Sequence, residues 1–410
     1  MTPPASVQLP DPVPADLLDE VQSKLQYAAA GTCDLRIDPA NAAVVTYRID
    51  RTHQRRVAPE AIADKITRVV RSVVKGHTPP STETFVDRRD APIPAGQDPM
   101  PWLLQQGHVF QLGTGQYGMG PLVVRLMAYF DHLFGELAAP FGPTEHAFPA
   151  MISTRAMARC DYFTSFPHSC CFVHHLQEDV DTISAFADRA RQQHGTTPSA
   201  GELASTDYML APAVCFHWYN HLADSTIPKQ GVQAATAVGK CFRFESGNLK
   251  SLERLWDFTM RELIFVAPAD VVTRHRQSSM AAWKKRMDRL GLAYTIQSAT
   301  DPFFVAEYQT RTRFQTAFQL KYEIRLTLPY SDGSLAAGSF NYHQDFFGRS
   351  FGIDTEAGGP AHTACTAIGL ERWAFGFLCQ FGPDPSGWPH EVARFVTDGP
   401  CASHHSEEGL

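Results

Sequence analysis

The stretch GKCFRFESGNLKSLERLWDFTMRELIF, Gly239 to Phe265, constrains this chain more than any other. Aromatic and β-branched residues on either side of a polar turn predict two strands, the second over 256–266. Leu252, Leu255, Trp256 and Thr259 also fit a helical spacing, and the aromatic content decides for strand. Arg243, Glu245, Arg261 and Glu262 stand alone in these apolar surroundings. An unpaired buried charge costs several kcal/mol, so these groups either pair with one another or meet a charged ligand. From Arg243 and Glu245 alone, a cross-strand ion pair is the plainer reading.

At 410 residues the chain is too long for one small core, which predicts two domains. Hydrophobic residues make up 44% and charged residues 19%, as in an ordinary globular protein. A net charge of −7 and a pI near 6.2 give no overall attraction to nucleic acid. No apolar run is long enough for a membrane helix, and the start lacks a signal pattern, so a cytoplasmic location is the expectation. Nine cysteines with no CxxC pair predict reduced thiols, with a metal ligand or two as the minority case.

Residues 1–16 are Pro-rich and are expected to be disordered, as is the tail at 398–410. Residues 17–95 read as a small α+β domain, with helices in VQSKLQYAA and PEAIADKITRVVRSVV and strands in AAVVTYRID and TETFVDRRD. A linker near 91–102 leads to a larger unit over 100–390. Its second half is mostly β (CFHWYNHL, KCFRFES, LWDFTMRELIFVA, KYEIRLTLP, LAAGSFNYHQDF), with one long helix at about 270–290.

Arg-x-Glu on a strand, a loop and a returning strand resemble motif 2 of the class II aminoacyl-tRNA synthetases. FPAMIS after a long helix is similar to motif 1, and GLERWAFGFL, Gly369 to Leu378, to motif 3. LKYEIRLTLPYSDG and SFNYHQDFFGRSF resemble the KYDLE and SxSNxxDFQARR segments of seryl-tRNA synthetases. The likeness spans roughly residues 100 to 382. CDYFTSFPH, PAVCFHWY, ATDPFF and TACTAIGLERW are closest to the amino acid:[carrier protein] ligases, relatives of the methanogen-type seryl-tRNA synthetases. The fold this implies is α+β: a class II antiparallel sheet flanked by helices, plus the small N-terminal domain.

The resemblance implies an enzyme that adenylates a small amino acid, glycine or alanine, with ATP and passes it to the phosphopantetheine thiol of a carrier protein. Arg243 would hold the α-phosphate and substrate carboxylate, Arg372 the γ-phosphate, and Glu245 would accept from the adenine amine or brace its neighbours. Guanidinium suits this task because its planar fork can bond two phosphate oxygens at once. Mg2+ is expected to bridge the phosphates, with Glu323 and Asn341 as loose candidates, because the usual acidic position aligns with Ala336. Zn2+ is expected on Cys215, Glu262 and Cys365, leaving an open position for the substrate amine, as in a functional zinc site. Taken one at a time, each cysteine reads as a buried thiol. His343 is a candidate for a group that supports a metal ligand without binding the ion itself. The motif 1 segment implies a homodimer.

The helix near 270–290 carries Arg274, Arg276, Lys284, Lys285, Arg286 and Arg289 against Asp270 and Asp288. It reads either as a solvated face or as a docking site for an acidic carrier protein. Two other functions stay open: charging of tRNA by a seryl-type enzyme, and a non-catalytic synthetase-like binding or regulatory protein.

Overall fold

Eight strands form the sheet that positions everything described below. In a computed structural model that describes residues 3–49, 58–75, 77, 82–193, 196–228, 231–301, 319–331 and 333–398, their order is Thr84–Asp87, Tyr294–Ser298, Lys321–Leu328, Gly333–Gln344, His362–Gly369, Asp257–Ala267, Gln233–Phe242 and Thr144–His146. All neighbours pair antiparallel except Thr144–His146, which runs parallel to Gln233–Phe242. The hairpin expected from the opening stretch is present, with Cys241 opposite Phe258 and Ala237 opposite Glu262.

The sheet is buried on both faces, as its central strands show: His362–Gly369 reads HTACTAIG, small and β-branched throughout, and Thr363 through Ile368 are all buried. One face packs on the helices Pro121–Ala138, Ala269–Arg289 and Leu370–Phe381, through Leu263, Phe265, Phe340 and Ile368. The other face meets the shorter helices Thr154–Arg159, Cys215–His221 and Phe346–Phe351 around Ile264, Val266 and Cys365. Strand alternation therefore splits neighbours onto different sides: Cys365 faces one way and Thr366 the other.

Three expectations change. CFHWYNHL, read as a strand, is the helix Cys215–His221. Its aromatics bury at helical spacing, Phe216 and Tyr219 both packing on Phe347, and this tertiary fit overrides their β-propensity. The Pro-rich start is ordered over its described residues: Ala5–Gln8 pairs with Asn41–Ile49, and Val7, Leu9 and Val13 are buried. Apolar residues at 7, 9 and 13 outweigh the prolines between them. TETFVDRRD, assigned to the N-terminal domain, supplies Thr84–Asp87 at the edge of the main sheet, with Val86 in the main core.

The N-terminal unit keeps its own core, where Leu18–Leu25 and Pro59–Val74 pack on the three-stranded sheet through Val21, Leu25, Val45, Ile62 and Ile66. Residues 399–410, most of the expected flexible tail, lie outside the described residues, as do 302–304 of ATDPFF. Among the described residues no helix is long and apolar enough to cross a membrane.

Candidate active site and metal centre

On the face away from the long helices, the register aligns two rows of side chains across the sheet. Lys321, Asn341, Cys365 and Ile264 form one; Glu323, Ser339, Ala367 and Glu262 form the other. Cys215, at the start of its helix, closes over them. The ligand atoms of Cys215, Glu262 and Cys365 all lie within 4.8 Å of one another, and all three residues are buried.

Tetrahedral zinc with bonds of about 2.3 Å to sulfur places two thiolates about 3.8 Å apart, so these three residues fit such an ion. A second observation agrees. Glu262 Oε1 accepts from the backbone N–H of Val214 (2.8 Å), while Oε2 is buried without a hydrogen-bond partner among the described residues. The ion pair that would explain Glu262 more plainly is not made: Arg261 points to the other face and pairs with Glu145 (2.9 Å) and Asp131 (3.5 Å).

Burial pushes the Glu262 carboxyl up to about 8, helped by the charge of Cys365. The two thiols share a proton unequally. The Cys215 thiol donates toward Cys365, which lowers Cys365 and raises Cys215, and His343 and Asn341 favour the Cys365 thiolate further. Asn341 Nδ2 donates to Cys365 Sγ at 3.3 Å.

The segment 212–215 links this cluster to the arginines. The Pro212 carbonyl accepts from Arg243 Nε (2.9 Å), Val214 holds Glu262, and Cys215 follows. Arg243 lies 5.4 Å over the Phe258 ring. It does not pair with Glu245, whose carboxylate is held by Arg254 at 2.6 Å. Arg372, in the first turn of Leu370–Phe381, donates to the Ala336 carbonyl (2.9 Å). It lines an open pocket of about 250 Å³ with Lys250, Arg254, Arg325 and Glu253. Burial, with Arg254 and Arg243 nearby, pulls the Arg372 guanidinium down to about 10, against the opposing charges of Glu245 and Glu323.

No family model matches the chain. Among curated proteins it is 34% identical over 263 residues to amino acid–[acyl-carrier-protein] ligase 1 of Bradyrhizobium diazoefficiens, covering 63% of this chain and 79% of that protein. Ligase 2 of the same organism is 34% identical over 250 residues, covering 60% and 72%. The chain belongs to the amino acid–[acyl-carrier-protein] ligase family.

Type-2 serine–tRNA ligase of Methanothermobacter thermautotrophicus is 27% identical over 290 residues, and there the match covers 56% of the relative. The fold of this ligase-family member is that of a class II synthetase. The Methanopyrus kandleri seryl-tRNA synthetase, solved with a tRNASec from A. aeolicus, superposes with a TM-score of 0.70 at 20% identity, over 96% of this chain and 77% of that one. The cytoplasmic serine–tRNA ligase of Naegleria fowleri with AMP gives 0.60 at 11%, over 83% and 79%.

Asn341 stands beside Cys365, and Glu323 is bonded to Lys321 (3.1 Å) and Arg325 (3.0 Å). Neither lines the pocket of Arg372. Lys250, Arg254 and Arg325, not singled out from sequence, do line it. For Lys250 and Arg254 the signal was the charge of the loop itself, which sits between Arg243 and the returning strand; Arg325 comes from the strand Lys321–Leu328.

The helix Ala269–Arg289 lies behind the sheet, with Ser279 bonded to Thr366 (2.9 Å). Its cations are largely matched within the chain: Arg274 by Asp270, Lys284 by Asp288, Arg286 by Glu136, and Arg289 by Glu391. The expected docking face is therefore mostly neutralised, and it faces away from Cys365.

Proposed function

We propose that this protein activates a small amino acid with ATP as the aminoacyl-adenylate and transfers it to the phosphopantetheine thiol of a carrier protein. The observation that carries the reading is the buried Cys215–Glu262–Cys365 cluster joined, through 212–215, to Arg243, from which the chain runs on into a loop that lines the pocket of Arg372.

Arg243 is assigned to the carboxylate and α-phosphate, where negative charge develops as the carboxylate attacks phosphorus and pyrophosphate leaves. Arg372, Lys250 and Arg325 take the departing phosphates, and magnesium enters with ATP. Glu245, already bonded to Arg254, faces the base. Zinc on the three ligands would hold the substrate's α-amine, admitting amino acids and rejecting simple carboxylic acids. Phe216, Tyr219 and Phe347 pack together on the same face, and an aromatic wall there would favour glycine or alanine, although one methylene is worth only about 1–3 kcal/mol.

The carrier is placed on the cluster's side of the sheet, not on Ala269–Arg289. A homodimer through the motif 1 segment is supported by its exposed apolar residues Ala147, Pro149, Ala150 and Met151. A cytoplasmic location fits these substrates.

The test is amino-acid-dependent exchange of pyrophosphate into ATP, followed by the fate of radiolabelled amino acid. Label on a phosphopantetheinylated carrier supports this reading. Label on tRNA supports a second one, favoured by the M. kandleri enzyme superposing on 96% of the chain, N-terminal unit included. No exchange with any small amino acid would return the protein to a non-catalytic, synthetase-like role.

A further inference from the structure

The N-terminal unit contributes none of the reacting groups proposed above, yet the end of its first helix, Leu18–Leu25, lies against the loop that joins Arg243 to Arg254. The Tyr27 hydroxyl donates to the Phe244 carbonyl (3.2 Å), the Ser246 hydroxyl to the Gln26 carbonyl (3.0 Å), and the Asn248 amide to the Ser23 carbonyl (2.9 Å). Ser23 is in the last turn of that helix, whose final carbonyls have no partner within it. The loop supplies one. Gly247 packs so closely that a Cβ there would lie 2.3 Å from Gln26 Oε1. The Tyr27 ring meets His168 edge-on at 5.0 Å.

From the other side, Leu249 fills the space at Gly115, where a Cβ would be 2.7 Å from Leu249 Cδ1. The loop is thus gripped between the N-terminal unit and the turn at Gly115. It holds Ser246 and Ser251 at φ values of +50° and +41°, a region that serine occupies at a cost unless its surroundings enforce it. Four of its residues, Asn248, Lys250, Glu253 and Arg254, line the pocket shared with Arg372.

A loop that must order itself around a triphosphate loses backbone entropy on binding, and one already ordered does not. We propose that the N-terminal unit braces this loop in its nucleotide-binding shape, with Tyr27 and Ser246 as positioning residues for ATP. The proposal rests on the ligase reading for the identity of the nucleotide. Neither residue lines the pocket, so their effect must pass through the loop.

The test uses the full chain carrying Tyr27→Phe together with Ser246→Ala, and ATP binding is measured by calorimetry. Losing two backbone-directed hydrogen bonds should weaken ATP by about tenfold. KM for ATP should rise by a similar factor while KM for the amino acid and kcat change less than about twofold. Amide exchange over 244–250 should quicken, and each single variant, which keeps one of the two hydrogen bonds, should show a smaller change in both readings.

Unchanged ATP affinity, or weakened affinity with loop exchange as in the parent, would overturn the brace. Parent protein that binds ATP but exchanges no pyrophosphate would sink the ligase reading and leave the brace to these two measurements. Parent protein that binds no ATP would overturn both.

Discussion

Glu262 shows how one residue can be legible in type and illegible in role. Its sequence context, a carboxylate in an apolar strand, requires a partner. Only the register says which: the strand turns Glu262 toward Cys365 and turns Arg261, its nearest cation in sequence, toward Glu145. If the three residues hold zinc, Cys215→Ser or Cys365→Ser should abolish both bound zinc, read by elemental analysis, and amino-acid-dependent exchange. Asn341→Ala removes a hydrogen bond to the Cys365 sulfur and should weaken zinc by about 10–100-fold, read by competition with a chelator. Full exchange activity in a zinc-free protein would refute the assignment. A second residue-scale prediction concerns His168, whose imidazole burial, with Lys24 nearby, pushes down to about 4. The unfolded chain takes up that proton near 6.5. Between about 6.5 and 4 the unfolded state binds more protons, so stability falls as the pH falls, by at most about 3 kcal/mol. His168→Gln should flatten that limb in urea melts compared at about pH 4.5 and about pH 7.

The elements were read from alternation and composition, and the hairpin at 239–267, the long helix Ala269–Arg289 and the strand Lys321–Leu328 follow that pattern. Cys215–His221 does not, because an aromatic run fits a strand or a buried helix equally well until its partner Phe347 is known. The neighbouring helix Phe346–Phe351 approaches backbone closely at Gly348, where a Cβ would lie 2.1 Å from the Ala361 carbonyl oxygen and 2.9 Å from its nitrogen. Backbone cannot yield as a side chain does. Gly348→Ala should therefore destabilise the fold by about 1–3 kcal/mol, measured as a lower thermal midpoint, and a midpoint equal to the parent's would show that the helix shifts freely.

For the whole molecule, the sheet is a partition. One face carries the Cys215–Glu262–Cys365 cluster and polar rows, and the other carries the three long helices. A carrier delivering its thiol to the cluster has no need of Ala269–Arg289. Arg274→Glu with Arg289→Glu reverses two exposed charges whose surface pairs are worth little to stability. Transfer to the carrier should stay within about twofold of the parent, whereas a large, salt-sensitive loss would restore that helix as the docking face. The motifs, their order and the residue types of the site were determined by the sequence alone, because phosphate and metal chemistry admit few side chains and strands admit few patterns. The tertiary structure decided which charges meet. Pairing register sets facing side by steps of one residue, and ligands separated by 47 and 103 positions, as Cys215, Glu262 and Cys365 are, have no local spacing to record that they converge.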